Sequence, residues 1–218
     1  MDYDRIIAIN NDSAVYRHGD KSIKVFIQEK EFTNLLEESF KTQKVKEQTS
    51  LNIAQIYDVS LKDGRASVVA EYIEGDTLAQ KLKNNSLSEK DIVSKLIHLQ
   101  NNIHSYSGIL NCSLKGDTSA NPVLCHGALT LENIVQTTDG RLFVLNWGSA
   151  FEGDKNIDVA FTYYELLYNF KQTAKLYINE YIKTTCEQKE NLTNAFSFAL
   201  NYLKNNSKGD KQRFYSQL

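Results

Sequence analysis

Short runs of β-branched and aromatic residues fill the first third of the chain. Arg5 to Ile9, Ala14 to Arg17, Ser22 to Ile27, Ala54 to Leu61 and Ala66 to Ile73 read as strands, each bounded by turn residues. His18-Gly19-Asp20-Lys21 and Lys62-Asp63-Gly64-Arg65 have the residues of hairpin turns. Between the two hairpins, Phe32 to Gln48 places Phe32, Leu35, Leu36, Phe40 and Val45 at helical spacing, a sparse stripe that suits a helix packed by one face. The order β-β-β-α-β-β predicts an antiparallel sheet with one helix laid on it.

After Gly75 the period changes. Thr77 to Leu82 reads as a short helix. Ser88 to His104 is a long one, with Ile92, Leu96, Leu99 and Ile103 on one face and a start resembling a capping box at Ser88 and Asp91. Ser107 to Pro122 is polar and irregular, and ends at the only proline. Leu142 to Leu145 follows the Asp139-Gly140 turn as a strand. From Ile157 on, three or four helices are expected, with Ala160, Tyr164, Leu167, Leu176, Ile178, Tyr181 and Ile182 as core positions. The expectation is an α+β protein of two lobes, a β lobe over 1–73 and a helical lobe over 74–218, with the site between them.

At 218 residues, with 41% hydrophobic and 24% charged, the chain can bury a core for one such domain. A net charge of −2 gives no footprint for nucleic acid or an anionic membrane. No apolar window is long enough to span a bilayer, and no signal peptide follows the charged opening. Cys112, Cys125 and Cys186 lack metal-type spacing, and an odd count reads as reduced thiols in the cytoplasm. Cys125 reads as a small buried hydrophobe.

The chemistry concentrates in two stretches. One is His126-Gly127-Ala128-Leu129-Thr130-Leu131-Glu132-Asn133-Ile134; the other is Val144-Leu145-Asn146-Trp147, followed by Asp158-Val159-Ala160. Together with Glu71-Tyr72-Ile73-Glu74-Gly75-Asp76-Thr77-Leu78, they resemble the aminoglycoside phosphotransferase and choline kinase branch of the protein-kinase-like fold. That branch shows His-Gly-Asp, then Asn-Ile, then Val-Ile-Asp, then Asp-x-Ala in the same order. Thr130 is also similar to the form found in small kinases of tRNA-modification complexes, whereas the stretch from Asp158 to Tyr163 fits the aminoglycoside branch better.

The resemblance implies a site for ATP and magnesium. Lys24 would contact phosphates, paired with a helix glutamate: Glu38, or else Glu37 or Glu31. The Glu71 carbonyl and Ile73 amide would hold adenine, His126 would buttress the loop, and Asn133 would bind metal. Asp158 would support the loop, and His104 resembles a packing histidine. Phosphoryl transfer needs a positioned nucleophile and neutralised phosphate charge. At the place of the catalytic base stands Ala128, which cannot accept a proton. At the place of the metal-bridging aspartate stands Asn146, which keeps an oxygen but no charge, and which could equally be a turn residue after a strand. The segment Asn10 to Ala14, where relatives carry a glycine-rich loop, has no glycine.

Three readings follow. The first is a pseudokinase that binds a protein partner or nucleotide. The second is an active phosphotransferase on a small-molecule acceptor, with Glu132 or Asp154 as substitute base. The third is an inactivated variant of such an enzyme.

Overall fold

The computed structural model describes residues 5–9, 13–26 and 32–218, with backbone alone at Lys189. The chain divides into two compact units, Met1–Asp76 with Ile134–Ser149, and Thr77–Asn133 with Ala150–Leu218.

In the first unit, strands β1 (Arg5–Ile9), β2 (Ser13–His18), β3 (Lys21–Phe26), β4 (Ile56–Lys62) and β5 (Arg65–Glu71) form an antiparallel sheet in the order β1-β2-β3-β5-β4. The third strand was expected to reach Ile27, which lies outside the described residues. The fifth ends at Glu71, two residues before the expected Ile73. There the ladder runs out, because Lys21 is its last partner and the Tyr72 N–H turns to the Asp20 carbonyl.

Helix α1 (Phe32–Gln48) spans the length that its stripe predicts, and it contains no glycine or proline to break it. Leu35 packs with Phe26 and Ala66, and with the half-buried Phe32, Val59 and Val68. Side chains alternate faces along a strand, so this cluster identifies the helix side of the sheet. Leu36 and Phe40 instead stay exposed, at 44% and 63%.

The same unit holds a small sheet in the order β6-β8-β9, made of β6 (Gly75–Thr77), β8 (Ile134–Thr137) and β9 (Leu142–Val144). Gly75 is required there. A β-carbon would lie 2.4 Å from the Gln136 carbonyl oxygen.

The second unit is mainly helical: α2 (Leu78–Lys83), α3 (Glu89–Ile103), α4 (Lys155–Asn169), α5 (Lys171–Thr185), α6 (Lys189–Asn206) and α7 (Gly209–Ser216). A two-stranded ribbon joins them, β7 (Val123–Cys125) paired with β10 (Phe151–Gly153). Thr77 caps α2 with a full capping box. Its N–H donates to Gln80 Oε1 at 2.8 Å, and its hydroxyl accepts from the Gln80 N–H at 3.1 Å. Ser88 caps α3 through the Asp91 N–H, but the Asp91 carboxylate binds the Ser88 hydroxyl, so the reciprocal half of a box is missing.

Ile92, Leu96, Leu99 and Ile103 are buried as the stripe predicts. On α5 the expected core position Tyr181 is buried, but the other three are not. Leu176, Ile178 and Ile182 are only half-buried, while Thr173, Ala174, Tyr177 and Tyr181 face the core. No helix among the described residues is long and apolar enough to cross a membrane.

Candidate functional site

The residues singled out from the sequence fall into both units. In the first, Lys24 stands on β3 opposite Val15 and Val68, on the helix side of the sheet. Its Nζ lies 4.8 Å from the centroid of the Phe26 ring. Among the described residues no ion pair joins it to a glutamate of α1. Glu38 is half-buried and turned elsewhere: a β-carbon on Gly148 would sit 3.5 Å from Glu38 Oε2. Lys41, one turn on, donates from Nζ to the Gly148 carbonyl at 2.9 Å. Helix α1 is therefore fastened to the segment that follows Asn146, and Lys24 takes no part in that. Glu37 is exposed, and Glu31 and Asn10 to Asp12 lie outside the described residues.

Asn146 is exposed and adopts φ 62°, a left-handed conformation that asparagine tolerates better than most residues. Beside it, Trp147 is fully buried and donates its indole N–H to the Val144 carbonyl at 3.1 Å, which anchors the turn. Towards the other end of β3, the register aligns Arg17 with Ser22 and Ser22 with Ala70. Val15, Ser22 and Ala70 are thus small half-buried residues on the face that carries Lys24. Glu71 is tied to Gln55 twice: its N–H donates to the Gln55 carbonyl at 2.7 Å, and its Oε2 accepts the Gln55 N–H at 3.1 Å. Its carbonyl accepts a long bond from the Ser22 hydroxyl, at 3.4 Å. Ile73 is half-buried.

In the second unit, β7 delivers the chain into the loop from His126 to Asn133. His126 is fully buried, and its Nδ1 accepts the Ala128 N–H at 3.3 Å. Asn133 donates from Nδ2 to the Ala128 carbonyl at 2.8 Å, so Ala128 is bracketed from both sides. Leu129 and Leu131 point fully inward and pin the loop between those polar contacts. Ala128 itself is half-buried and presents a methyl group.

Gly127, at φ 76°, donates its N–H to Asp158 Oδ1 at 2.7 Å. Asp158 is fully buried on α4, and its Oδ2 meets Gln100 Nε2 at 3.1 Å and His104 Nε2 at 2.8 Å. Burial pushes its carboxyl up, but the bonds from His104, Gly127 and Gln100 outweigh that and hold it below the usual carboxylate range. His104 is therefore more than a packing histidine. Among the described residues its Nδ1 is buried without a partner.

His104, Cys125 and Asp158 bring potential ligand atoms within 4.8 Å of one another. They do not suit a metal. Burial, with the charges of Asp158, Asp117 and Asp154, pushes the Cys125 thiol far up, so it stays protonated. Its sulfur lies near the carbonyls of Val123, Gly153 and Asp154, as a weak donor would.

A pocket of about 380 Å³ in the same unit is lined by Leu110, Cys112, Asp117, Ser119, Pro122 and Glu152 among others, and by none of the residues to which the resemblance gives a nucleotide, metal or catalytic role. Its carboxylates are already occupied. Glu152 accepts the Ile109 and Leu110 N–H groups, and Asp117 those of Ser119 and Asp154. The suggested substitute bases fare no better. Asp154 caps α4 through the Asn156 N–H at 2.8 Å, and Glu132 is exposed on the short turn before Asn133.

An α+β chain with a five-stranded sheet bearing one helix, and a helical unit whose buried aspartate holds a His-Gly loop, has the kinase-like fold of aminoglycoside phosphotransferases and choline kinases. Solved structures agree. An aminoglycoside-3'-phosphotransferase of type VIII superposes with a TM-score of 0.63 at 13% identity, over 88% of this chain and 91% of that one. The ADP-bound aminoglycoside phosphotransferase APH(2'')-Ib gives 0.61 at 15% identity, over 98% and 90%. The choline kinase LicA from Streptococcus pneumoniae gives 0.59 at 16% identity, over 100% and 91%. Neither a protein-family model nor a curated protein sequence matches the chain.

Proposed function

We propose that this chain is a pseudo-phosphotransferase: a kinase-like protein that binds a partner or an adenine nucleotide without efficient phosphoryl transfer. The observation that carries the reading is Ala128. Its loop keeps the contacts that would hold a base in place, through His126, Asn133 and Asp158, yet it offers only a methyl group. General-base assistance is typically worth about two to four powers of ten in rate.

The metal end supports the same reading. Magnesium sites favour one or two carboxylates together with substrate phosphates. Asn133 and Asn146 supply two amides, one of them already tied to the loop backbone. These residues do not fit a magnesium clamp. The adenine end needs no carboxylate: it would use the Glu71 carbonyl, which also accepts the Ser22 hydroxyl, and the Ile73 amide, with Val15 and Ala70 on the face that carries Lys24. Nucleotide would then be held by its base and by one ammonium, with affinity indifferent to magnesium.

Thermal shift with ATP, run with and without Mg²⁺, tests this. Stabilisation by ATP that is the same in both conditions, or absent in both, agrees with the proposal. A large additional rise with Mg²⁺, in protein that also transfers phosphate, would defeat it.

A further inference from the structure

We infer that Gln100 and Tyr177 are positioning residues for the loop that carries Ala128, acting through Asp158 as a directional hydrogen-bond relay. The relay starts on α5, where Tyr177 is fully buried and its hydroxyl donates to Gln100 Oε1. That bond fixes which way the amide faces. With Oε1 committed to the phenol, Nε2 must point at Asp158 Oδ2 and Thr162 Oγ1, each at 3.1 Å. Held there, the carboxylate presents its other oxygen to the Gly127 N–H at 2.7 Å, one residue before Ala128.

The orientation matters because the amide has two faces of opposite sign. If the phenol is removed, Gln100 Oε1 loses the bond that holds it towards α5. A flipped Gln100 would set its carbonyl oxygen against a buried carboxylate oxygen that His104 also binds, and Asp158 would relieve that repulsion by moving, taking Gly127 with it. Gln100, Asp158, Thr162 and Tyr177 are all at most 0% exposed in the fold, so water cannot step in to repair the break. A change on α5 would therefore reach the loop without touching it. The inference does not depend on whether the loop performs chemistry.

Amide exchange of the ¹⁵N-labelled full chain reads it directly. In unmodified protein the Gln100 side-chain amide protons should be protected, and the Gly127 amide should exchange slowly. Tyr177→Phe keeps the ring and removes only the hydroxyl. It should speed exchange at Gly127 at least tenfold, and Gln100→Leu should do the same. Tyr181→Phe is the control: a buried tyrosine one turn along α5, its ring 6.2 Å from that of Tyr177, outside the relay to Asp158. It should leave Gly127 unchanged.

Freely exchanging Gln100 amide protons in unmodified protein would overturn the inference, even if no variant folds. So would an unchanged Gly127 in the two relay variants, or an equal change in the control. None of these results bears on nucleotide binding, so failure here is separable from failure of the proposed function.

Discussion

Asp158 holds a charge where burial opposes one, and the consequence is a dependence of stability on pH. Its folded-state pKa lies below the ordinary aspartate value of 3.8. The carboxylate therefore contributes fully above that value, and the contribution is lost as pH falls through the lower, folded-state value. Removing the group should cost more than acid does. Asp158→Ala strands the Gly127 N–H and Gln100 Nε2, and each unmet buried donor costs about 1–3 kcal/mol. Urea denaturation at pH 7 should show a loss of about 3 kcal/mol or more, and the variant should lose less stability than its parent on acidification. A variant as stable as the parent would mean that the loop is held some other way. At this scale the sequence displayed Ala128 and Asn146 at once, because a departure from a resembled motif is a matter of residue identity. It was silent on Tyr177 and nearly so on Gln100. The one signal for Gln100 was a polar residue among the buried positions of α3, between Leu96 and His104, and the partner that makes sense of it lies 77 residues away.

Among the elements, the long helices and the paired strands of the large sheet were legible because each carries its own period. Helix α1 needed only its stripe and the absence of breakers. The three-residue strands β6, β7, β9 and β10 carry no period, since so short a run is defined by its partner. β7 pairs across to β10 and β6 to β8, both far along the chain; only β9 was legible, through the Asp139-Gly140 turn before it. Gly75 marks one of these invisible elements. Its β-carbon would run into the Gln136–Thr137 peptide, with Gln136 O at 2.4 Å, Gln136 C at 2.9 Å and Thr137 Cα at 3.0 Å. Backbone cannot swing aside as a side-chain tip can, so β6 and β8 would have to separate. Gly75→Ala should therefore destabilise by about 1–3 kcal/mol, the usual cost of overpacking. Gly64→Ala serves as the comparison, because nothing lies within 4 Å of its β-carbon and only its φ of 71° is strained. A Gly75→Ala loss no larger than that of Gly64→Ala in thermal unfolding would rule out the steric account.

For the whole molecule, the proposed reading rests on two positions without a carboxylate, Ala128 and Asn146, which makes reversal of both the informative experiment. Neither site resists the change. Ala128 is half-buried, so an aspartate there need not be entombed, and aspartate accepts the left-handed backbone of Asn146 about as well as asparagine does. Restoring the base alone leaves phosphate charge without a carboxylate to hold magnesium, and restoring the metal ligand alone leaves the acceptor proton without a destination. Ala128→Asp and Asn146→Asp should therefore each stay near the parent rate. The double variant should gain Mg²⁺-dependent ATP hydrolysis by about two powers of ten, the low end of what a general base supplies. Such non-additivity is the mark of groups that act as a unit. A double variant that binds ATP with Mg²⁺ yet turns over no faster than its parent would defeat the assignment of base and metal roles to positions 128 and 146.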